Sequence, residues 1–327
     1  MNESRRTPVA WVESPLQLLC AAEYAAKLGR PIAVAFRLTG SQMTVTAQEL
    51  LDRGAPFSSC APYFGIPWSL LSSQPDWIIG DGFSGQFRLA ASVLRPRSVT
   101  LVDDGDMSVH LAAALLGRTG YARPARAGRP ARSGRPGQFG PGRPEGSLTT
   151  MLGALTRARL LRLAGSERLT MFSAFASDPA LVALAARDVP VAANEFEWVR
   201  AHARPVRMPH PRVVLGTARI VDGLLDESDY LRWLRAVTAD GAVSYLPHRR
   251  EDTRLLSRIA ELAGVSVVDS GLPAELALAG SNEALEIVLL RSSAATTLRA
   301  VLAGTGSTVR VHAPGSRPGS RPEELVR

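Results

Sequence analysis

Val9-Ala10-Trp11-Val12-Glu13-Ser14-Pro15-Leu16-Gln17 opens the chain with the stretch that decides its fold class. Four apolar residues read as a buried strand. Ser14-Pro15 then starts a helix, whose apolar positions Leu16, Leu19, Cys20 and Tyr24 recur at helical spacing and which Gly29 closes. Pro31 to Arg37 reads as the next strand, completing a β-α-β unit. The pattern repeats outward: Trp77-Ile78-Ile79-Gly80 precedes a helix from Ser84 to Leu94, and Ser98 to Val102 precedes one from Met107 to Leu116. Strands alternating with helices predict a parallel sheet covered on both faces.

Residues 119–147 interrupt this rhythm with Arg-Pro and Gly-Arg steps and almost nothing apolar except Tyr121 and Phe139, which predicts a flexible or disordered insertion. A helix is expected from Leu148 to Leu163 and a strand around Arg168 to Phe172, followed by a polar connection ending at Pro205. A first domain over 1–205 and a second over 206–312 follow from this break, with a frayed Pro/Gly-rich tail over 313–327. The second domain reads as strands at Arg212 to Leu215, Ala242 to Leu246, Val265 to Asp269, Ala284 to Leu289 and Thr308 to His312. Helices are expected between them at Ser228 to Thr238, Arg249 to Ala263, Ala274 to Leu278 and Ala294 to Leu302. Ligands of open α/β sheets bind outside the carboxyl ends of the strands, so the turns at those ends are where chemistry is sought.

Composition narrows the class. The chain has 327 residues, of which 46% are apolar and 21% charged, the balance of a globular protein with a full core. No uncharged apolar run reaches membrane-spanning length, and Met1-Asn2-Glu3-Ser4-Arg5-Arg6 leads straight into a strand, which predicts a cytoplasmic protein. Cys20 and Cys60 lack ligand or disulfide spacing and are expected to be reduced. The formal charge of +8 is concentrated in Arg118, Arg123, Arg126, Arg129, Arg132, Arg135 and Arg143. The remainder is nearly neutral, which argues against a nucleic-acid face on the folded part.

Four strand-end turns carry candidate chemistry. Asp103-Asp104-Gly105 follows Thr100-Leu101-Val102, and a crowded carboxylate pair tends to raise one pKa, which suits a general base. Gly105 there permits close backbone approach or a positive φ. Ser244-Tyr245-Leu246-Pro247-His248-Arg249-Arg250-Glu251 delivers an imidazole flanked by arginines, able to donate to a phosphate oxygen. Ser292-Ser293 opens a helix after Ile287-Val288-Leu289-Leu290, where hydroxyls and free N–H groups form an anion site, or simply an N-cap. Ser14 serves as a cap of the first helix. Gly80-Asp81-Gly82-Phe83-Ser84-Gly85 lacks GxGxxG spacing and a P-loop lysine, so it suggests neither a dinucleotide fold nor an NTPase, and is expected to shape the acceptor side.

The acidic-acidic-Gly, Pro-His and Ser-Ser turns, with Glu13-Ser14-Pro15-Leu16-Gln17, resemble the bacterial sialyltransferases and polysialyltransferases around glycosyltransferase family 52. That resemblance implies a GT-B fold, two Rossmann-like domains with parallel sheets facing a central cleft. It implies that Asp103 takes the acceptor's proton with Asp104 in support, and that His248 with Arg249 serves the departing cytidine monophosphate (CMP). It further implies that Ser292 and Ser293 hold the nucleotide phosphate, that Glu275 in Gly271-Leu272-Pro273-Ala274-Glu275 accepts from the ribose, and that Gln17 reaches sugar or acceptor. Gly105 belongs to the same motif, while Gly216 and Thr217 are expected to approach the nucleotide through their backbone. His248 is followed here by Arg249 where the family often has proline.

The function so implied is inverting transfer of sialic acid, or a related ulosonic acid, from a CMP-activated donor to a glycan or glycolipid hydroxyl in cell-surface polysaccharide synthesis. No cofactor is implied, since a single phosphate leaves, and no Asp-x-Asp pair suggests a metal-held diphosphate. Peripheral association with the inner membrane face fits such an acceptor. Two alternatives stay open: a nucleotide-diphosphate-sugar transferase or epimerase of the same architecture, and a non-catalytic protein that binds polyanions through the Arg-rich insertion. In a polysialyltransferase that insertion would guide an acidic polymer by charge.

Overall fold

The computed structural model describes residues 7–124 and 147–313. The Arg-rich insertion, apart from its two ends, and the tail from 314 onward lie outside the described residues. The described chain divides into two compact units between His202 and Ala203.

The first unit holds β1 (Val9–Val12), α1 (Pro15–Leu28), β2 (Ile32–Arg37), α2 (Ser41–Asp52), β3 (Phe57–Tyr63), α3 (Trp68–Ser73), β4 (Asp76–Ile79), α4 (Gly85–Leu94) and β5 (Ser98–Val102). It continues through α5 (Met107–Leu115), α6 (Ser147–Ala164), β6 (Leu169–Ser173), α7 (Pro179–Ala185), β7 (Val191–Ala193) and α8 (Glu197–Ala201). Its seven strands run in the order β3-β2-β1-β4-β5-β6-β7, and every neighbouring pair is parallel. The local chemistry of α1 is as read from sequence. Ser14 sits extended at φ −141° and accepts from Gln17 N at 3.3 Å, Pro15 occupies the first turn, and Gly29 closes the helix at φ +63°. The strands are buried on both faces because helices cover both. Trp11, Trp77, Ile79, Val99 and Leu101 share one continuous core with Phe87 and Leu111 from the helices.

Two stretches carry structure beyond the sequence reading, one given no elements there and one read as a connection. α2, β3 and α3 (Trp68–Ser73) lie within 38–76, and α7, β7 and α8 lie within 174–205. β3 is an edge strand whose Ser58, Ser59, Ala61 and Pro62 are exposed, so it lacks the apolar signature of its neighbours. Glu23, on α1, accepts from Trp198 N at 3.1 Å and Val199 N at 2.6 Å, which fixes α8 against the sheet's flanking helix.

The second unit holds β8 (Arg212–Leu215), α9 (Glu227–Ala239), β9 (Val243–Leu246), α10 (Thr253–Ala260), β10 (Val265–Val267), α11 (Ala274–Leu278), β11 (Glu286–Leu290), α12 (Ala294–Val301) and β12 (Thr308–His312). Its parallel strands run β10-β9-β8-β11-β12. Val213 and Leu215 face one apolar cluster while Val214 faces another, the alternation of a strand buried on both sides. α10 begins four residues later than its periodicity suggests, because Asp252 accepts from Leu255 N at 2.8 Å and caps it there. His248 therefore lies in a turn before the helix.

In both sheets the strand order reverses once, between β1 and β4 and between β8 and β11. Those reversals are where open α/β sheets leave a crevice for ligands.

Candidate active site

In the first unit the turns after the neighbouring strands β1, β4 and β5 carry Glu13, Asp81 and Asp104. Gln17 packs among them, 1% exposed, with Oε1 accepting from Glu13 N at 2.6 Å. A side chain on Gly80 would put its Cβ 2.1 Å from that oxygen, so glycine is required there for Gln17 to fit. Gln17 also hydrogen-bonds Asp104. Gln17, expected to reach sugar or acceptor, is buried, and its amide braces the strand ends.

Arg37 pairs with Glu13 at 3.1 Å, and Ser84 donates to the other Glu13 oxygen at 3.0 Å. Arg123 pairs closely with Asp81 and lies 3.6 Å from Asp104. The loop bearing Asp81 is set by Tyr121, whose hydroxyl donates to Gly82 O at 2.7 Å and whose ring packs against Phe83. A small hollow beside Asp104 is lined by Gly80, Phe83, Val102, Met107 and Leu111.

The two adjacent aspartates lie in different surroundings. Asp103 is 0% exposed. Its Oδ1 accepts from the Ser173 hydroxyl at 2.5 Å and its Oδ2 from Ala174 N at 2.6 Å, so it ties the end of β5 to the end of β6. Burial pushes its carboxyl up to about 6 against the pull of Ser173, Ala174 and Ser108. Asp103, expected to take the acceptor's proton, is thus enclosed, with both carboxylate oxygens engaged by β6 and the residue after it. Asp104 keeps 22% of its side chain exposed. Burial, then repulsion from Asp81 and Glu13, pushes it up to about 7, with Gln17 and Arg123 opposing. Gly105 turns the chain at φ +66°, a conformation that favours glycine.

In the second unit β9, β8 and β11 are neighbours, which brings the turns after them to one edge. His248 sits after β9, with Nδ1 accepting from Arg250 N at 3.2 Å. A neutral imidazole that accepts at Nδ1 carries its proton on Nε2. Burial, and then Arg249 and Arg250, lower its pKa to about 4, so the neutral ring prevails at physiological pH. Arg250 is held by a bidentate pair with Asp222, while Arg249 is exposed.

Gly216 and Thr217 follow β8. Thr217 N, expected to approach the nucleotide, donates to Glu251 Oε1 at 2.8 Å. A Cβ on Gly216 would lie 2.4 Å from both Glu251 Oε2 and His248 N, so this glycine makes room for the Glu251 side chain. Ser292, exposed at the end of β11, accepts from Ala294 N at 3.3 Å, and half-buried Ser293 begins α12. Glu275 is 7% exposed, and its Oε1 accepts from Thr297 at 2.7 Å. Its carboxyl is raised chiefly by burial.

Asp81 and Glu251 were not singled out from sequence. Asp81 was readable as the acid directly after β4. Glu251 joins local partners, His248 N three residues before it and Tyr245 six before it, to Thr217 N from a separate turn. Among the described residues no group of three or more His, Cys, Asp or Glu side chains is arranged to hold a metal ion, and no helix is long and apolar enough to cross a membrane.

No protein-family model and no curated protein matches the chain. Among solved structures it is similar to a UDP-glucose:anthocyanidin 3-O-glucosyltransferase in complex with UDP, with a TM-score of 0.51 and 11% identity over 94% of this chain and 81% of that one. A match of this kind speaks to fold: two Rossmann-like α/β units with parallel sheets, the GT-B class.

Proposed function

We propose that the chain is a glycosyltransferase that moves a sugar from a nucleotide-activated donor to a hydroxyl acceptor, and that the donor is CMP-linked sialic acid or a related ulosonic acid. The observation that carries the proposal is the distribution of acid–base character over the strand-end turns. The first unit presents a partly exposed carboxyl, Asp104, raised to about 7, and the second presents a neutral imidazole with its proton on Nε2. A carboxyl near the working pH is suited to general-base chemistry.

Asp104, in place of Asp103, takes the proton of the acceptor hydroxyl. The acceptor oxygen then forms its bond to the anomeric carbon as that carbon's bond to the phosphate oxygen breaks, and the bonding pair leaves with CMP. The Nε2–H of His248 donates to the phosphate oxygen that gains charge, and the hydroxyls of Ser292 and Ser293 at the start of α12 assist. Asp103 acts as a positioning residue, since it fixes the β5 turn on which Asp104 stands. A glycan or glycolipid is the acceptor class we favour.

The order of the Asp-Asp-Gly, Pro-His and Ser-Ser turns supports a CMP donor. One finding favours a second reading, a UDP-sugar donor: the similar glucosyltransferase was solved with UDP. Thermal stabilisation by CMP, UDP, CMP-sialic acid and UDP-sugars separates the two. Stabilisation by CMP ligands is expected, and stabilisation by UDP ligands alone overturns the CMP assignment.

A further inference from the structure

We propose that Glu251 is the positioning residue of the donor-phosphate site, a single carboxylate that locks the turn after β8 to the turn after β9 and thereby aims His248. The inference rests on the reading of His248 as a phosphate donor.

The geometry is specific. Glu251 Oε1 accepts from Thr217 N at 2.8 Å and from the Tyr245 hydroxyl at 2.8 Å, while Oε2 accepts from His248 N at 2.9 Å. One side chain thus satisfies the backbone of two neighbouring strand ends, and the absent side chain of Gly216 leaves the space it occupies. The anchor continues inward. Tyr245 lies on β9 and shares a 2.8 Å hydroxyl contact with Tyr230 of α9, and both rings are 0% exposed. On the outer side the Arg250–Asp222 pair fastens the same turn to the segment following β8.

The consequence for chemistry is one of exclusion. The amide hydrogens of Thr217 and His248 are consumed by Glu251, so neither turn offers a backbone amide of these residues to a phosphate. With Nδ1 of His248 accepting from Arg250 N, the ring atom left to donate to a ligand is Nε2–H. A carboxylate is required because all three partners are donors. Glutamine would set its NH₂ against one of them and leave a donor unsatisfied.

The test uses the full chain with CMP as the probe, comparing Glu251→Gln with Tyr230→Phe. Both alter the buried chain of hydrogen bonds, but Tyr230 lies at its far end and touches neither turn. By calorimetry, Glu251→Gln is expected to weaken CMP binding by about 10-fold or more, and Tyr230→Phe by less than about 2-fold even where its melting temperature falls. In ¹⁵N spectra of the unliganded protein, Glu251→Gln is expected to turn the single Nε2–H tautomer of His248 into a mixture. Should Glu251→Gln fail to fold, Tyr245→Phe removes the donor to Oε1 and is expected to move CMP affinity and tautomer in the same directions. Wild-type affinity with one tautomer in Glu251→Gln, or equal losses in Tyr230→Phe, overturns the role of Glu251. Absence of CMP binding by the wild type overturns the donor assignment instead, and the His248 tautomer still decides whether Glu251 orients the ring.

Discussion

The backbone N–H of Arg250 donates to Nδ1 of His248 at 3.2 Å, and this one bond decides which nitrogen of the ring faces outward with a proton. With burial and two arginines lowering the pKa to about 4, His248 is a neutral hydrogen-bond donor in the free protein. In the proposed mechanism such a donor would stabilise a phosphate without having to lose a proton. ¹⁵N-labelled histidine spectra are expected to show His248 as the Nε2–H tautomer and neutral down to about pH 5. His248→Ala is expected to cut turnover by about 10²–10³-fold, the usual loss for a preorganised donor.

The two adjacent aspartates are separable by mutation. Asp103→Asn sets an NH₂ group against Ser173 or Ala174 and is expected to destabilise the first unit by about 1–3 kcal/mol. Asp104→Asn removes a carboxyl that Asp81 and Glu13 repel, and is expected to hold or raise the melting temperature while lowering turnover by about 10²–10⁴-fold. Paired melting and rate measurements check both; a stable, fully active Asp104→Asn removes it from the mechanism.

The same carboxyl sets a pH signature. Asp104 is raised from 3.8 to about 7 on folding, so its contribution favours the folded state below its unfolded value and is lost as pH rises through about 7. The stability advantage of Asp104→Asn over wild type is therefore expected to grow between about pH 4 and about pH 7 and to level off above. Turnover should rise over a limb centred near 7 as Asp104 ionises. Asp81→Asn, which removes the largest like-charge repulsion, should shift that limb to lower pH. Denaturation and rate profiles across this range test the sign of both effects.

Gly80 and Gly216 make room for neighbouring side chains. A Cβ at Gly80 meets Gln17 at 2.1 Å, and one at Gly216 meets Glu251 and His248 at 2.4 Å. Alanine at either position is expected to cost about 1–3 kcal/mol through overpacking, visible as a lowered melting temperature before any ligand is added.

Much of the architecture was legible because its punctuation is local. Ser14, Pro15 and Gly29 bracket α1, and Gly105 marks the turn after β5. α2 was equally legible and was missed: Met43, Ala47 and Leu50 form a buried stripe at helical spacing. β3 was not, since half-exposed edge strands lack the apolar run of buried ones, and β7 spans just Val191–Ala193. The site was legible as a set of strand-end turns, but not in its division of labour. Which of Asp103 and Asp104 turns inward depends on Ser173, 70 residues away, and Glu251 takes its role from Thr217, 34 residues away. Local sequence carries no trace of such pairings.

The most direct measurement follows CMP release from CMP-sialic acid by the purified chain, with and without a glycan acceptor panel. Acceptor-dependent release of CMP with formation of a sialylated product, lost in Asp104→Asn and His248→Ala, is the predicted result. Turnover of UDP-sugars with CMP-sialic acid left intact would contradict it.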